Sequence, residues 1–260
     1  MTPTTEAEIA RTLGRAAIWR ILGGAFAYPT APRLETLAEA AAAADDHDRS
    51  PELRAALEDF ARAARTADPE TIAGEYVFLF DRQVRCPPYE GAWGDAPQLA
   101  GKSALLADIA GFYQAFGLEP AGGQPETEDH LVAEVEFMSA LALKEAWALA
   151  EGAGAAREVT RQAATAFLTD HLGRWAETFA ETLGEATPVA YYTAAAALLG
   201  AWVREEIATL GATPARLAGP GGLDPVQQED AFTCPMAEPS EPHRPLGAVT
   251  SRPRPGRSSE

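Results

Sequence analysis

The sequence predicts an all-α protein, built as a single helical-bundle domain of about eight or more helices. Apolar residues recur at intervals of three and four along almost the whole chain, which is helical rather than strand spacing. Hydrophobic residues make up 47% of the 260 residues, and alanine, the best helix former, supplies runs such as "AEAAAAAD" and "TAAAALLG". Proline and glycine concentrate after about residue 212. We therefore predict a helical domain over residues 1–211.

Three apolar stripes with helical spacing define the first three helices, and they run from Ile9 to Ile21, from Leu34 to Ala41 and from Leu53 to Ala64. The first stripe ends near "YPT", where proline stops a helix. Before the third stripe, "SP" supplies a capping serine and a proline that fits the first helical turn. These signals predict three separate helices.

The fourth helix begins in "ADPETIAGEYVFLF", with Asp68 as the cap and Pro69 in the first turn. The next segment, "DRQVRCPPYEGAWGDAPQ", contains adjacent prolines and two glycines, so it is predicted to be non-helical. A fifth apolar stripe runs from Leu105 to Phe116 and should stop at Gly117.

Three further helices are predicted in the second half of the chain. The first starts at Thr127 in "TEDHLVAEVEFM" and runs to Gly152. The next is one helix that carries the apolar stripe from Val159 to Phe179, and the last ends before Gly211. Residues 212–260 are rich in proline and glycine and cannot bury enough apolar surface to offset chain entropy, so we expect a largely disordered tail.

Charge and apolar run length exclude several classes of partner. The formal net charge is −17, with 38 acidic against 21 basic residues, so the protein repels nucleic acid and anionic lipid and favours cationic peptides. No apolar run approaches the roughly 18 residues of a membrane-spanning helix, and the N-terminal residues do not form a signal peptide. Cys86 and Cys234 make no disulfide framework. We expect a cytoplasmic protein with reduced thiols and no stable membrane insertion.

The polar residues at the start of the Thr127 helix have a local explanation. Thr127 would cap the helix, Glu128 and Asp129 would complement its dipole, and His130 could pair with Glu134 four residues later. A metal site lacks ligands, because no histidine follows an acidic residue at the spacing of di-metal helical proteins. We expect no metal and no cofactor. The alternative enzyme hypothesis is a metal- or nucleotide-dependent hydrolase using His130 and Glu134.

The segment "VRCPPYEGAWG" has two interpretations. It is either a rigid connector whose Tyr89 and Trp93 fold back on the helices, or a stiff loop whose aromatic side chains recognise a peptide. Cys86 has no neighbouring histidine or second cysteine in the sequence that would activate its thiol.

Four segments taken together resemble a known family. They are "EYVFLF", "CPPYE", "DHLVAEVEFM" and "FLTDHLGRWAETF", and in this order they resemble the TorD/DmsD/NarJ family of cytoplasmic chaperones dedicated to molybdenum enzymes. The similarity covers about residues 9–210. It implies a non-catalytic chaperone that binds the apo catalytic subunit of a molybdopterin-dependent oxidoreductase. Such chaperones often bind the twin-arginine signal peptide of that subunit, assist insertion of the molybdenum cofactor and delay export.

The resemblance also implies where the client binds. The family's peptide-binding motifs fall on Pro88, Tyr89 and Glu90 and on Asp129 and His130, and Glu134 matches the acid one turn later. A peptide with two arginines and an apolar stretch needs carboxylates beside aromatic surface. Glu90, Asp129 and Glu134 would supply the carboxylates. The aromatic side chains would be Tyr76, Tyr89 and Trp93.

Overall fold

In the computed structural model the described residues are 3–44, 49–82, 85–94, 99–119 and 127–220. The chain divides into two units, Met1–Gly222 and Leu223–Glu260. The second unit, which contains most of the predicted disordered tail and Cys234, lies outside the described residues.

Within the described residues, nine α-helices account for nearly all of the regular structure. They are α1 Pro3–Phe26, α2 Ala31–Ala43, α3 Pro51–Thr66, α4 Pro69–Tyr76, α5 Leu99–Ala115, α6 Leu131–Ala150, α7 Gly154–Asp170, α8 Leu172–Ala186 and α9 Ala190–Leu210. The predicted all-α fold is confirmed.

The predicted helix ends follow from local chemistry. The Asp68 carboxylate accepts a hydrogen bond from the backbone N–H of Thr71 at 2.9 Å, and Pro69 occupies the first turn of α4. Ser50 caps α3 in the same way. Gly117 and Gly211 follow α5 and α9 with φ of 69° and 70°, a left-handed conformation that favours glycine. These boundaries agree with the sequence prediction.

Helix α1 packs antiparallel along α6, and α9 lies against both α1 and α8. The Ser139 hydroxyl of α6 donates to the Ala16 carbonyl of α1 at 3.0 Å, whereas Gly23 approaches Glu136. Residue numbers rise along α1 where they fall along α6, so the two helices run antiparallel. Trp19 of α1 meets Trp202 of α9 edge to face, with ring centroids 5.7 Å apart.

One predicted helix is two helices in the structure. The stripe from Val159 to Phe179 is interrupted at His171, whose φ of −130° and ψ of −103° are not helical. At the turn, a Cβ atom on Gly173 would lie 2.3 Å from the Leu168 carbonyl oxygen, so only glycine fits. The apolar spacing continues across the break, and for that reason the periodicity alone predicted a single helix wrongly.

Helix α4 changes its hydrogen bonding where the aromatic residues of "EYVFLF" begin. Val77–Arg82 form a π-helical segment directly after α4. The backbone N–H of Cys86 then bonds the Leu79 carbonyl at 3.3 Å, which turns the chain back into the Pro-Tyr-Glu loop. π-helical segments are rare and are frequent at functional sites.

Residues 212–220 pack against the helices, which extends the ordered domain past the predicted boundary at residue 211. The backbone N–H of Leu217 donates to the Arg174 carbonyl at 2.7 Å, and the Thr178 hydroxyl donates to the Leu217 carbonyl at 2.9 Å. The Leu217 side chain packs on the core. We name residues 212–220 the strap. The composition of the strap, which is rich in proline and glycine, does not indicate the few contacts that anchor it.

None of the helices in the described residues is long and apolar enough to cross a membrane.

Candidate functional site

The Pro-Tyr-Glu loop and the start of α6 are joined by backbone hydrogen bonds. The N–H of Leu131 donates to the Pro88 carbonyl at 2.8 Å, and the N–H of Glu90 donates to the Asp129 carbonyl at 2.9 Å. Tyr89 and His130 therefore form an isolated antiparallel bridge. The two motifs that the resemblance singled out, about forty residues apart in sequence, occupy one place in the fold.

Asp129 holds this junction together from the inside. It is fully buried, and its Oδ2 accepts a hydrogen bond from the Gly91 N–H at 3.1 Å, while Oδ1 accepts one from the Thr127 hydroxyl. A Cβ atom on Gly91 would lie 3.0 Å from Oδ2, so glycine permits the close approach. Asp129 thus anchors the loop, in contrast to the predicted role of complementing the helix dipole.

The cap of α6 is His130, whereas the sequence analysis predicted Thr127. The His130 Nδ1 accepts a hydrogen bond from the Val132 N–H at 3.1 Å, and α6 begins at Leu131. Thr127 instead bonds Asp129. Glu134, the predicted partner of His130, accepts a hydrogen bond from the Trp175 indole N–H at 3.1 Å. The sequence placed the helix start one turn too early.

Glu90, Asp129 and Glu134 form what we call the carboxylate cluster, and all three side chains are buried. The Glu134 Oε2 accepts a hydrogen bond from the Trp175 indole N–H at 3.1 Å. The Glu90 Oε2 lies 3.1 Å from the Nδ1 of the buried His171. Oε1 of Glu134 is buried and has no hydrogen-bond partner among the described residues.

Burial raises the pKa of Glu134 well above its ordinary value of 4.5. The negative charges of Glu90 and Asp129 raise it further, and the hydrogen bond from Trp175 opposes the shift only in part. A carboxyl group in this position favours its protonated, uncharged form. The junction beneath the loop therefore contains a buried carboxyl group, Glu134, whose raised pKa favours the uncharged form.

The predicted aromatic residues differ in exposure. Tyr89 is partly exposed and packs edge to face on His130 with ring centroids 5.0 Å apart. Trp93 is buried, and its indole N–H donates to the Pro87 carbonyl at 3.0 Å. Trp93 thus folds back on the helices, as the first interpretation of this segment predicts, whereas Tyr89 stays partly exposed, and its recognition of a peptide stays a prediction. Pro88 is buried at the junction.

Tyr76 is linked to Trp93 through a chain of aromatic ring contacts. Its ring contacts Phe80 at a centroid distance of 5.1 Å, Phe80 contacts Phe179 at 6.3 Å, and Phe179 contacts Trp93 at 5.9 Å. Tyr76 also packs on Tyr28, which is 52% exposed. The structure therefore brings together seven of the eight predicted site residues and links the eighth to them indirectly.

Comparison with known proteins identifies the family. The sequence profile of a family described as nitrate reductase delta subunit matches residues 46–181, more than half of the chain. The chain belongs to the nitrate reductase delta subunit family. This match and the relatives below confirm the resemblance found in the sequence.

Several relatives of this delta subunit family member are named as chaperones. The selenate reductase assembly chaperone of Thauera selenatis is 36% identical over 125 residues, 47% of this chain and 62% of the relative. The chlorate reductase assembly chaperone of Ideonella dechloratans is 35% identical with the same coverage. Chaperone protein TorD of Photobacterium profundum is 28% identical over 62% of this chain and 76% of its own length. The matches thus span less than two thirds of the first two relatives.

These names give no support to the alternative of a hydrolase that uses His130 and Glu134. In the part of the chain that the structure describes, no group of three or more His, Cys, Asp or Glu residues could hold a metal ion. Cys86 is buried, burial raises the pKa of its thiol, and its Sγ faces the Phe179 carbonyl at 3.6 Å. A thiol of this kind is inert.

His171 and Trp175 contact the carboxylate cluster of this family member, although the sequence analysis assigned neither to the candidate site. His171 joins the loop to α5, since its Nε2 also lies 3.4 Å from the exposed Asp108 Oδ2. Both residues stand in "HLGRW", inside a segment that carried the family resemblance. A histidine and a tryptophan four residues apart on a predicted helix were the available signal.

In this family member the strap contacts the C-terminal end of the Pro-Tyr-Glu loop. The Gly94 N–H donates to the Gly219 carbonyl at 3.3 Å, and Trp93 forms an isolated bridge with Pro220. Gly94 has a φ of 87°, and a Cβ atom there would lie 3.3 Å from the Leu217 side chain. The loop is therefore fixed at both ends, at α6 and at the strap.

Proposed function

We propose that the protein is a dedicated chaperone that binds the apo catalytic subunit of a molybdopterin-dependent oxidoreductase. It would act in the cytoplasm, assist insertion of the molybdenum cofactor and delay export, without catalysing a reaction. The observation that carries this proposal is the pairing of the Pro-Tyr-Glu loop with the Asp-His start of α6 in a member of the delta subunit family. The names of the relatives, reductase assembly chaperones and TorD, support the same function.

We further propose that the loop binds the twin-arginine signal peptide of the client. Tyr89 and Tyr76 are the partly exposed aromatic residues, and they would contact the apolar part of the peptide. The negative net charge would attract its arginines. Binding of this kind should weaken as ionic strength rises, because salt screens exposed charges.

The buried residues of the predicted site have a different role in this proposal. Glu90, Trp93 and Asp129 hold the loop in its conformation, together with Pro88, and Glu134 accepts a hydrogen bond from Trp175. They are positioning residues, since a client peptide cannot reach fully buried carboxylates without displacing the loop. Replacing Asp129 with alanine should therefore weaken client binding and lower stability together.

The test is recovery of the client from the native host cells by gentle affinity purification of the tagged protein. We expect a large oxidoreductase subunit without molybdenum cofactor. Tyr89→Ala should lower its recovery about tenfold, as for a loss of about 1.4 kcal/mol of binding free energy. Arg62→Ala is the matched control, because Arg62 lies on the exposed face of α3 in an exposed ion pair with Asp59.

The possible outcomes distinguish the proposed chaperone function from the proposed binding site at the loop. If no oxidoreductase subunit is recovered with the wild-type protein, the proposed function is wrong. If Tyr89→Ala and the wild type retain the same amount of subunit, the function stands and the loop is not the binding site. A client recovered with its signal peptide removed would show that another part of the subunit is bound.

A further inference from the structure

Two contacts join the strap to the C-terminal end of the Pro-Tyr-Glu loop. The Gly94 N–H donates to the Gly219 carbonyl at 3.3 Å, and Trp93 forms an isolated antiparallel bridge with Pro220. A Cβ atom on Gly94 would lie 3.3 Å from the Leu217 side chain, so the two segments are in close contact there. The strap, which follows the last helix, therefore holds the end of a loop that lies much earlier in the sequence.

Leu217 attaches the strap to α8. Its backbone N–H donates to the Arg174 carbonyl at 2.7 Å, its carbonyl accepts a hydrogen bond from the Thr178 hydroxyl at 2.9 Å, and its side chain packs against the core. The neighbouring Arg216 donates to the Thr178 hydroxyl at 3.0 Å and forms an ion pair with Glu181. Arg216 and Leu217 therefore anchor to α8 the same segment that holds the loop.

The strap is held more weakly than the helices around it. Six of its nine residues are exposed, and Ala212 is the one that is buried. In the ion pair of Arg216 with Glu181 the side chains are 46% and 62% exposed, and exposed pairs of this kind contribute little to stability. Segments with few buried apolar contacts open locally at a much lower free energy than the whole domain. The strap can therefore leave α8 while the helices stay folded.

The other end of the loop is held more firmly, because its contacts with the start of α6 are buried. The Leu131 N–H donates to the Pro88 carbonyl at 2.8 Å, and the Glu90 N–H donates to the Asp129 carbonyl at 2.9 Å. All four of these residues are buried. When the strap leaves, we therefore expect the loop to stay attached at α6 and to open at its C-terminal end.

The C-terminal end of the loop is linked to a buried carboxyl group that lacks a full set of partners. The Trp93 ring packs on Trp175 with centroids 6.1 Å apart, and the Trp175 indole N–H donates to Glu134 at 3.1 Å. Oε1 of Glu134 is buried and has no hydrogen-bond partner among the described residues. A guanidinium stabilises such a group, because it donates several hydrogen bonds from one positive charge. Withdrawal of Trp93 would give a charged ligand access to Glu134.

The molecule contains an example of this pairing in another place. Arg15 of α1 lies between two buried glutamates, at 2.7 Å from Glu145 and 2.7 Å from Glu206. The carboxylate cluster also has buried acidic side chains, and of these Glu90 faces the buried His171 at 3.1 Å. Its three acidic groups outnumber this basic partner. An arginine side chain from another molecule would therefore complement the cluster.

We infer that the strap is a releasable latch that keeps the Pro-Tyr-Glu loop closed over the carboxylate cluster. The structure shows the latched state. Release of the strap at Leu217 lets the loop open at its C-terminal end, and the opened cluster accepts an arginine side chain of the client. The latched state is therefore autoinhibited toward arginine-containing peptides. The client as the source of this arginine rests on the proposed function, whereas the latch itself does not.

Hydrogen–deuterium exchange of the full chain, without any client, tests the latch. Leu217→Ser removes the apolar anchor of the strap, and we expect the amides of residues 91–94 to exchange about tenfold faster than in the wild type, because the loop opens more often. The amides of α9 should exchange at the wild-type rate. Leu143→Ser, the same substitution at an exposed leucine of α6, is the matched control and should leave exchange in the loop unchanged.

Arg216→Ala is a second variant, which leaves the apolar anchor in place. Because Arg216 is exposed, the variant should fold normally, and exchange of the same loop amides should rise about twofold. Faster exchange confined to the strap in Leu217→Ser would overturn the latch. Faster exchange throughout α9 in Leu217→Ser would show that this variant unfolds, and unchanged loop exchange in Arg216→Ala would then overturn the latch.

Binding of a labelled synthetic peptide, with two adjacent arginines followed by leucines, tests the autoinhibition. Leu217→Ser should raise the affinity for this peptide by the same factor as it speeds loop exchange, about tenfold, because both quantities are proportional to the open fraction of the loop. The same peptide with glutamines in place of the arginines should show no gain. A merely structural role of Leu217 would lower the affinity instead.

The results distinguish the latch from the proposed function. Faster loop exchange in Leu217→Ser with unchanged or weaker binding of the arginine peptide would overturn the autoinhibition. An equal gain for the glutamine peptide would overturn the carboxylate cluster as the arginine site. If the arginine peptide binds neither the wild type nor the variant, the proposed peptide-binding function is wrong, and faster loop exchange would still support the latch.

Discussion

Two buried groups of charged side chains differ in how their charges are balanced. The carboxylate cluster under the Pro-Tyr-Glu loop contains Glu90, Asp129 and Glu134 with His171 as its buried basic partner. The second group, which we name the arginine cluster, joins Arg15, Glu145 and Glu206 across α1, α6 and α9. The first has an unpartnered carboxylate oxygen, and the second does not among the described residues.

In the arginine cluster every carboxylate oxygen has a donor. Arg15 binds Glu206 through two nitrogens at 2.7 and 2.9 Å and Glu145 through a third at 2.7 Å. Trp19 and Arg161 each donate a further hydrogen bond. Burial would lower the pKa of Arg15, but the hydrogen bonds and charges of Glu206 and Glu145 outweigh burial and raise it.

The two groups of buried charges have different roles. A fully paired cluster fixes three long helices in one arrangement. A cluster with more carboxyl groups than basic partners and an unpartnered oxygen is less stable than the same site filled by paired groups, and perturbed carboxyl groups of this kind occur often at functional sites. The site nearest the proposed client peptide is the one left unbalanced.

The largest effect should follow from breaking the arginine cluster. Arg15→Met removes the only cation that joins Glu145 to Glu206 in the described residues, and it leaves buried negative charge behind. We expect the free energy of unfolding to fall by about 3–5 kcal/mol. Urea denaturation measures it, with Arg62→Ala on the exposed face of α3 as the control. A loss below about 1 kcal/mol would show that the cluster is not structural.

A smaller loss should follow from removing the hydrogen bond that Trp175 donates to Glu134. Trp175→Phe keeps an aromatic ring but removes the indole N–H that donates to Oε2 of Glu134, whose Oε1 already has no hydrogen-bond partner among the described residues. The expected cost is about 1–3 kcal/mol, and the pKa of Glu134 should rise further. Urea denaturation at neutral pH tests the first statement. No loss of stability would mean that the hydrogen bond does not matter there.

Glu134→Gln should cost less than about 1 kcal/mol at neutral pH, because glutamine resembles the protonated carboxyl group that burial already favours. The sign of the pH dependence follows from the raised pKa. Between its ordinary value of 4.5 and its folded value, Glu134 holds more proton in the folded state, so stability falls as pH rises through this range.

The glutamine variant removes this contribution. Its stability relative to the wild type should therefore increase from about pH 5 to about pH 8, as measured by urea denaturation at each pH. The matched control is Glu206→Gln, which weakens a paired site and should be destabilising at both pH values. A difference that is constant with pH would place a normal carboxylate at position 134.

The smallest effect is expected at the exposed edge of the carboxylate cluster. Asp108 lies 3.4 Å from the Nε2 of His171, but its side chain is 69% exposed. Asp108→Asn should change the free energy of unfolding by less than about 0.5 kcal/mol, since water and salt screen such a pair. Thermal denaturation at low and high salt would check it. A larger effect would make Asp108 a member of the buried cluster.

Much of the fold was predictable because its signals are local. The capping of α4 by Asp68 and the ends of α5 and α9 at Gly117 and Gly211 depend on residues next to each other in the chain. The break at His171 was not predictable from apolar spacing, since it depends on the contact between Gly173 and the Leu168 carbonyl. The strap was missed because its anchors, at Arg174 and Thr178, are about forty residues away.

The candidate site was predictable only as a set of residues. The family resemblance named the loop and the start of α6, which the structure places together, but the roles of the residues within them depend on burial. Asp129 was expected to complement a helix dipole and instead anchors Gly91, and His130 rather than Thr127 caps α6. His171 and Trp175, from the α7–α8 region, complete the cluster through hydrogen bonds over long sequence separation.

By itself the sequence determined that the chain is helical, where most helices end and which family it resembles, because helix periodicity and capping act within a few residues. Only the tertiary structure decided which carboxylates are paired and which aromatic rings remain exposed. These properties depend on neighbours from distant helices, and the free energy of a buried charge is set by those neighbours rather than by adjacent residues.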